Sequence, residues 1–269
     1  MALPEPAMSA LVVVLGLVLG SFLNVCIHRL PKGESVVRPR SRCPACGTTL
    51  AAHHNVPVLS WIALGGRCGT CGARIALRYP LVELLSAGIL LGLWHLYGAS
   101  LAFLVSALFT LPMIVLFFTD LDEKLLPDVI TLSGFAVGIA VAWFNPFLGR
   151  DLPWARFFMA LSGSALGAGV LWGIGALYGR LRGVEAMGMG DVKMMAMVGA
   201  FTGPLGVLFT LFAASLVGAC VGLALIPLRG RSLRDTLPFG CFLAPAAVAA
   251  LLYGRQAVTA YFRIVLPGP

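Results

Sequence analysis

The stretch "GMGDVKMMAMVGAFTGP", residues 188–204, places an aspartate and a lysine at the start of an otherwise apolar run. Such a run is typical of a membrane-spanning helix. A Gly-Pro pair at 203–204 breaks it, so 191–203 and 204–227 form either two spans or one kinked helix. An ionisable group within a span is costly and usually serves function. Asp191 is therefore a candidate functional residue.

The overall composition excludes a soluble enzyme. The 269-residue chain is 59% apolar and only 11% charged, whereas a soluble domain carries roughly 25% charged residues. Because about 20 apolar residues cross a bilayer core, we expect an all-α polytopic membrane protein with about eight transmembrane helices. Residues 1–8 lack the basic region of a leader peptide, so the first run is expected to remain as a helix. The expected spans lie at about 9–28, 81–97, 100–119, 129–148, 157–178, 191–203, 204–227 and 238–257.

The basic residues are distributed unevenly over the loops of this arrangement. With eight spans, 15 of the 19 lysines and arginines fall on one side of the membrane, and segment 29–80 carries eight of them. The positive-inside rule places that segment in the cytoplasm and both termini outside. The net charge of +8 suits the anionic headgroups of a lipid bilayer, and no nucleic-acid partner is expected.

Four of the seven cysteines lie in this cytoplasmic segment. "CPACG" at 43–47 and "CGTCG" at 68–72 give the pattern Cys-x2-Cys-x21-Cys-x2-Cys. Four thiolates at this spacing suit a closed tetrahedral Zn²⁺ site that folds the loop and performs no chemistry. Two disulfides are the alternative, but they are rare in a reducing compartment. The expected zinc ligands are Cys43, Cys46, Cys68 and Cys71.

A second acidic stretch, "FFTDLDEKLLPD" at 117–128, lies where the third span meets the cytoplasm. Its later carboxylates are typical of a solvated turn and a helix start. Asp120, however, directly follows the apolar run and so lies nearest to the hydrocarbon. The predicted topology puts Asp120 and Asp191 at the same membrane face. Two close carboxylates cannot easily both ionise, so such a pair supplies a base to activate water and an acid to protonate a leaving amine.

Three residues beside Asp191 have two possible roles each. Gly188 and Gly190 either let a substrate backbone approach closely or form an ordinary flexible loop before the helix. Lys193 either takes part in the chemistry or extends its ammonium group toward the membrane surface, as flanking lysines do. We favour the second role for Lys193.

Four stretches together resemble the type IV prepilin peptidases, which are membrane aspartic peptidases with a G-x-G-D signature. They are "GSFLNVCIHRLPKGESVVRPRSRCPACG" at 20–47, "NVPVLSWIALGGRCGTCGARIALRYPLVELL" at 55–85, "FTDLDEKLLPD" at 118–128 and the opening stretch. The resemblance covers nearly the whole chain. It implies that Asp120 and Asp191 are the catalytic pair. It also implies that the substrates are prepilins or pseudopilins of type IV pili or type II secretion systems, cut at the cytoplasmic face of a bacterial inner membrane.

Family members with the cysteine loop also methylate the new N-terminal amine with S-adenosylmethionine. The segment 29–80 is too short for a Rossmann domain and shows no strand followed by a glycine-rich turn. The methyltransferase activity is therefore implied by the resemblance alone, which points to Gly33 and Glu34 as the methyl-donor region. The expected parts are a first transmembrane helix at 1–28, the zinc domain with this activity at 29–80, and the peptidase core at 81–269.

Two other classes of function remain open at this stage. In an ion- or proton-coupled transporter, Asp120 and Asp191 would relay protons or bind a cation. Transporters often show internal repeats and helices broken at mid-membrane, and neither feature is visible in this sequence. A non-enzymatic assembly factor could use the zinc loop to dock a partner, but it would leave both interfacial aspartates without a role. The bifunctional peptidase is therefore the preferred hypothesis.

Overall fold

The computed structural model describes residues 4–149, 152–183, 188–229 and 237–265 of the chain. These residues form helices joined by loops, the longest of which lie between the first helix and Arg78, and no strand longer than an isolated bridge occurs among them. Short 3-10 turns follow the first helix and interrupt two loops. The α-helices are α1 (Glu5–Arg29), α2 (Leu59–Ala63), α3 (Arg78–Tyr97), α4 (Leu101–Glu123), α5 (Asp128–Val141), α6 (Pro153–Arg182), α7 (Met189–Arg229) and α8 (Gly240–Val265).

Most of these helices are long and apolar enough to cross a membrane. Five qualify by length and composition, and two shorter apolar helices, Asp128–Val141 and Gly240–Gly254, accompany them in the described part of the chain. The prediction of an all-α polytopic protein is confirmed, and the exact number of spans stays a prediction. The five longer segments are Glu5–Lys32, Arg78–Tyr97, Leu101–Glu123, Pro153–Arg182 and Met189–Leu225.

The break expected at 203–204 is a kink within α7. Gly203 has φ 70° and ψ −177°, which is not helical, although the helix continues on both sides of it. This backbone region is essentially restricted to glycine. The sixth and seventh expected spans are therefore two halves of one kinked helix.

The fourth expected span, 129–148, ends earlier than its apolar composition indicated. Helix α5 stops at Val141, and the buried Asn145 forms hydrogen bonds in place of a continuing helix. Its Oδ1 accepts from the backbone N–H of Phe147 at 2.9 Å, and its Nδ2 donates to the carbonyl oxygen of Phe201 at 2.9 Å. Pro146 then begins a short 3-10 turn.

The chain divides into two compact units, Met1–Phe103 and Leu104–Pro269. In the first unit, α1 and α3 approach very closely. A Cβ atom added at Gly16 would lie 2.5 Å from the Cα of Ala87, and one added at Gly20 would lie 2.7 Å from the Cα of Glu83. Small residues permit such contacts between membrane helices. The division 1–28, 29–80 and 81–269 stays a prediction about function.

In the second unit, α7 lies at the centre and packs against α5, α6 and α8. Helix α4 adds side chains to the same core. The ring centroids of its Phe109 and of Phe201 are 5.0 Å apart. Methionines fill much of this core because their flexible side chains adapt to irregular gaps. The fully buried members from α7 include Met194, Met195, Met197, Val198 and Phe201.

Candidate active site and metal centre

Asp120 lies in the last turn of α4 and is held by the start of α8. Its side chain is 5% exposed, and its Oδ2 accepts a hydrogen bond of 2.8 Å from the backbone N–H of Cys241. A helix N-terminus carries unpaired amide groups and a positive end of the helix dipole, so it is a favourable place for a carboxylate. The structure thus fixes the orientation of Asp120 with a residue 121 positions away.

Gly240, just before Cys241, makes this contact possible. A Cβ atom added there would lie 2.9 Å from both Cγ and Oδ2 of Asp120, which is closer than real Cβ contacts. Neither Gly240 nor Cys241 was identified from the sequence. The available signal was a glycine at the start of the last apolar run, and 32 glycines in the chain made that signal weak.

Asp191 lies in the first turn of α7. Its backbone N–H donates to the carbonyl oxygen of Gly188 at 3.1 Å. Its Oδ1 is buried and accepts no hydrogen bond from the described residues. Buried polar atoms are almost always paired, and an exception at a functional site needs an explanation. The charges of Asp120 and Asp191 are close enough to interact.

Leu126 lies between the two helix starts. A Cβ atom added at Gly190 would lie 3.0 Å from the Cβ of Leu126, and one added at Gly240 would lie 3.1 Å from its Cδ2. The buried leucine therefore packs the loop after α4 against the first turns of both α7 and α8. This packing places Asp120 and Asp191 at the same end of the second unit.

Lys193 has a partner in the first turn of α5. Its Nζ lies 2.8 Å from Oδ1 and 2.7 Å from Oδ2 of Asp128. Both side chains remain partly exposed, with 30% and 57% of their surface accessible. The ion pair therefore joins the starts of α5 and α7 at the rim of the site. Gly188 also stays near Asp191, since a Cβ atom added there would lie 3.9 Å from Oδ2.

The four cysteines of the first unit converge on a single point. All four Sγ atoms lie within 4.8 Å of one another, and the sulfurs of Cys43 and Cys71 are 3.8 Å apart. A tetrahedral ion with bonds of about 2.3 Å to sulfur holds its ligands about 3.8 Å apart. The donor set and the spacing therefore fit one four-coordinate metal ion.

The two cysteine pairs adopt the same turn. The backbone N–H of Cys43 donates to Thr48 O at 2.9 Å, and that of Cys68 donates to Ala73 O at 2.8 Å. A glycine with φ 71° follows the second cysteine of each pair. Hydrogen bonds from the backbone of Cys71 and then Thr70 lower the pKa of the Cys68 thiol to about 6. A hydrogen bond from the Ala73 backbone lowers the pKa of the Cys71 thiol, but the neighbouring sulfurs outweigh it and raise that pKa to about 11. These thiols therefore titrate together, and a metal ion binds their thiolate form.

Gly33 and Glu34 directly follow the 3-10 turn Leu30–Lys32 that comes after α1. Gly33 has φ 67° and donates its N–H to Leu30 O at 3.1 Å, and Glu34 donates its backbone N–H to Arg29 O at 3.1 Å. The side chain of Glu34 is exposed. These two residues therefore close the turn that leads from the first helix into the cysteine loop.

Comparison with known proteins gives consistent matches over both units. Residues 14–97 match the family model described as the bacterial peptidase A24 N-terminal domain, and residues 107–223 match that of the type IV leader peptidase family. A protein of Pseudomonas putida named prepilin leader peptidase/N-methyltransferase is 36% identical over 275 residues, which cover 94% of this chain and 93% of the relative.

Two further relatives carry the same name. The protein of Burkholderia pseudomallei strain 1026b is 37% identical over an alignment of 279 residues, which covers 94% of this chain and 88% of that relative. The protein of Myxococcus xanthus strain DK1622 is 42% identical over an alignment of 228 residues, which covers 84% of this chain and 66% of that relative. No solved structure matches the chain.

Proposed function

The chain belongs to the type IV leader peptidase family, and on that premise we propose that it is a bifunctional membrane enzyme. It cleaves the leader from type IV prepilins or pseudopilins and methylates the new N-terminal amine. The proposed substrates follow from the names of the relatives and from the two aspartates at one end of the second unit. Those relatives are named as peptidases, and none supports the transporter alternative.

Asp120 and Asp191 form the proposed catalytic pair. One shared proton lets the ionised carboxylate remove a proton from water while the protonated partner donates to the scissile peptide. Water then attacks the carbonyl carbon to give a tetrahedral intermediate. The departing amine takes the proton that the first carboxylate removed from water, and a hydroxyl of the intermediate returns a proton to the second carboxylate. The Cys241 amide holds Asp120 in place, and the shared proton belongs to the pair as a whole.

The observation that carries this proposal is the buried Oδ1 of Asp191, which lacks a hydrogen-bond partner in the described part of the chain. An unpaired buried carboxylate oxygen destabilises a structure, and a shared proton or a bound substrate compensates for that cost. An isolated aspartate, with neither a shared proton nor a substrate, would leave this buried oxygen unpaired.

The test is cleavage of a purified prepilin, measured by mass spectrometry. Asp120→Asn and Asp191→Asn keep the size of each side chain and remove its ability to exchange a proton. We expect each to reduce cleavage by at least about a thousandfold, since acid–base groups that act as a unit fail together. Asp122→Asn, an exposed neighbour in the same helix, is the control and should retain activity. More than trace cleavage by either variant would exclude the pair.

The four cysteines bind Zn²⁺ in this proposal. With all four positions filled by sulfur, the ion stabilises the loop and contributes no open coordination site for chemistry. S-adenosylmethionine is the proposed methyl donor. The uneven distribution of basic residues supports a cytoplasmic position for the loop and the aspartates in a bacterial inner membrane. A position of both termini outside follows from the same rule when the two halves of α7 each cross the membrane.

A further inference from the structure

The first unit contains a cavity of about 430 Å³ between the end of α1 and the loop that follows it. One wall is a single face of α1, formed by Val18, Phe22, Val25 and Arg29, because residues three or four apart share a helix face. The opposite wall comes from the loop between residues 36 and 57. A volume of this size matches sites that bind one small molecule.

Arg29 gives this cavity a buried positive charge. The side chain is only 7% exposed, and its guanidinium donates to Ser35 O at 2.9 Å and to Arg40 O at 3.4 Å. These bonds hold the loop over the helix end. They engage two of the five N–H groups that a guanidinium offers.

No carboxylate lies within ion-pair distance of Arg29 among the residues that the structure describes. Buried charges in proteins are normally paired with an opposite charge. Here the backbone carbonyls supply partial charge only. A buried, unpaired cation in the wall of a cavity therefore favours a ligand that carries an anionic group.

The rest of the lining is mixed. Val18, Phe22 and Val25 form an apolar surface, Ser21 and Asn55 add a hydroxyl and an amide, and Arg40 adds a second cationic side chain. A fitting ligand has one anionic end and a flat or apolar body with polar edges. An acyl chain cannot form hydrogen bonds with the hydroxyl and the amide, so it does not match this lining. The cavity also lies wholly within the region that matches the N-terminal family model, residues 14–97.

We propose that this cavity binds S-adenosylmethionine, with the carboxylate of the methyl donor at Arg29. The inference rests on the methyltransferase activity proposed above and assigns it a place. The neutral N-terminal amine of the cleaved substrate attacks the methyl carbon as the carbon–sulfur bond breaks. The bonding pair stays on sulfur, which becomes a neutral thioether, and the methylated amine releases a proton to water. Holding the two reactants together is the main contribution of such a site.

The first test uses a matched pair of tryptophan substitutions on α1. Val25→Trp inserts an indole into the cavity, whereas Val14→Trp adds the same side chain at an exposed position outside the lining. Binding of S-adenosylhomocysteine to the full chain is measured by calorimetry, and cleavage, methylation and zinc content are measured in parallel. For Val25→Trp we expect affinity and methylation to fall at least tenfold with cleavage and zinc unchanged. Val14→Trp should match the wild type.

The second test needs no variant. Ultraviolet cross-linking of radiolabelled S-adenosylmethionine to the wild-type protein, followed by peptide mapping, should place the label within residues 18–57. This measurement decides the question if Val25→Trp loses its zinc and its fold. Label only in the second unit would overturn the assignment.

The outcomes separate this inference from the proposed function. Wild-type protein that neither binds S-adenosylhomocysteine nor methylates would contradict both the methyltransferase activity and the cavity assignment, and would leave the peptidase activity unaffected. Wild-type methylation together with unchanged binding by a zinc-loaded Val25→Trp would overturn the cavity alone. Loss of a co-purifying anionic phospholipid from that variant, without loss of methylation, would show that the cavity is a lipid site instead.

Discussion

The sulfur atoms of the first unit and the carboxylates of the second unit are brought together by different means. Each cysteine pair lies in one tight turn, closed by a backbone hydrogen bond within six residues, such as that from Cys43 to Thr48. Asp120 instead depends on a bond to Cys241, 121 residues further along the chain. A local turn forms around a metal ion, whereas the carboxylate site forms only when several long helices pack. The two sites should therefore fail under different perturbations.

Removal of the metal should have the largest effect, confined to the first unit. Cys43→Ser combined with Cys46→Ser leaves two sulfurs, which cannot complete a tetrahedral site. Metal binding in small zinc domains contributes about 10–16 kcal/mol of apparent folding free energy, so we expect the loop to unfold and methylation to become undetectable. Cleavage should remain within about threefold of the wild type. Metal analysis, proteolysis of the loop and mass spectrometry of the product are the measurements.

Cys220→Ser is the matched control, because Cys220 is an exposed cysteine of α7 outside the cluster. It should retain one zinc per chain and both activities. Wild-type protein purified without zinc would contradict the metal assignment. Loss of cleavage from the double variant would show that the carboxylate site also depends on the loop.

The converse perturbation is Gly240→Ala at the start of α8. The added methyl would lie 2.9 Å from the Asp120 carboxylate, so Asp120 must move. Misplacement of a catalytic group by about 1 Å costs about a hundredfold in rate. We expect cleavage to fall by that factor, while methylation of an already cleaved pilin stays unchanged. Both rates are measured with separate purified substrates.

Gly254→Ala in the same helix controls for the change of residue type. A Cβ atom added at Gly254 meets nothing within 4 Å, and alanine favours a helix more than glycine does. That variant should cleave normally and melt at the same temperature or slightly higher. Full cleavage by Gly240→Ala would mean that the Cys241 contact does not position Asp120.

The same contrast explains what could be predicted from sequence. The cysteine spacing and the apolar runs are local signals, and the placement of Asp120 and Asp191 at one end followed from counting spans. The contact with Cys241 joins distant helices, and packing within lipid has no polar periodicity that would reveal it. The early end of α5 has the same origin, because Asn145 is held by a carbonyl 56 residues away. The cavity at Arg29 arises from bonds to loop carbonyls, which no residue pattern encodes.

A smaller effect is expected where the loop of the first unit is fixed to a membrane helix. Glu83 of α3 is 7% exposed, and its Oε2 accepts a hydrogen bond of 2.7 Å from the backbone N–H of Val58. Val58 has φ 60° and ψ −52°, which is unfavourable for a β-branched residue. The carboxylate thus stabilises a strained turn. Hydrogen bonds to charged groups contribute about 1.5–3 kcal/mol.

Glu83→Gln should weaken this bond without emptying the space. We expect methylation to fall about tenfold and amide exchange to rise near residues 56–63, with zinc retained. Glu5→Gln, an exposed acid of α1, should change neither quantity. Unchanged exchange in the loop of Glu83→Gln would show that the turn is stable without the charged acceptor.

The smallest effect is expected at Lys193, although the lysine lies only two residues from Asp191. Its ammonium already binds Asp128, and both partners are partly exposed to solvent. Exposed ion pairs typically contribute about 0.2–1 kcal/mol. A double-mutant cycle with Lys193→Met and Asp128→Asn should therefore give a coupling below about 1 kcal/mol in thermal or chemical unfolding, and each single variant should cleave within about threefold of the wild type. A hundredfold loss with Lys193→Met but not with Asp128→Asn would give the lysine a role in the chemistry. It would also extend the active site beyond the two carboxylates.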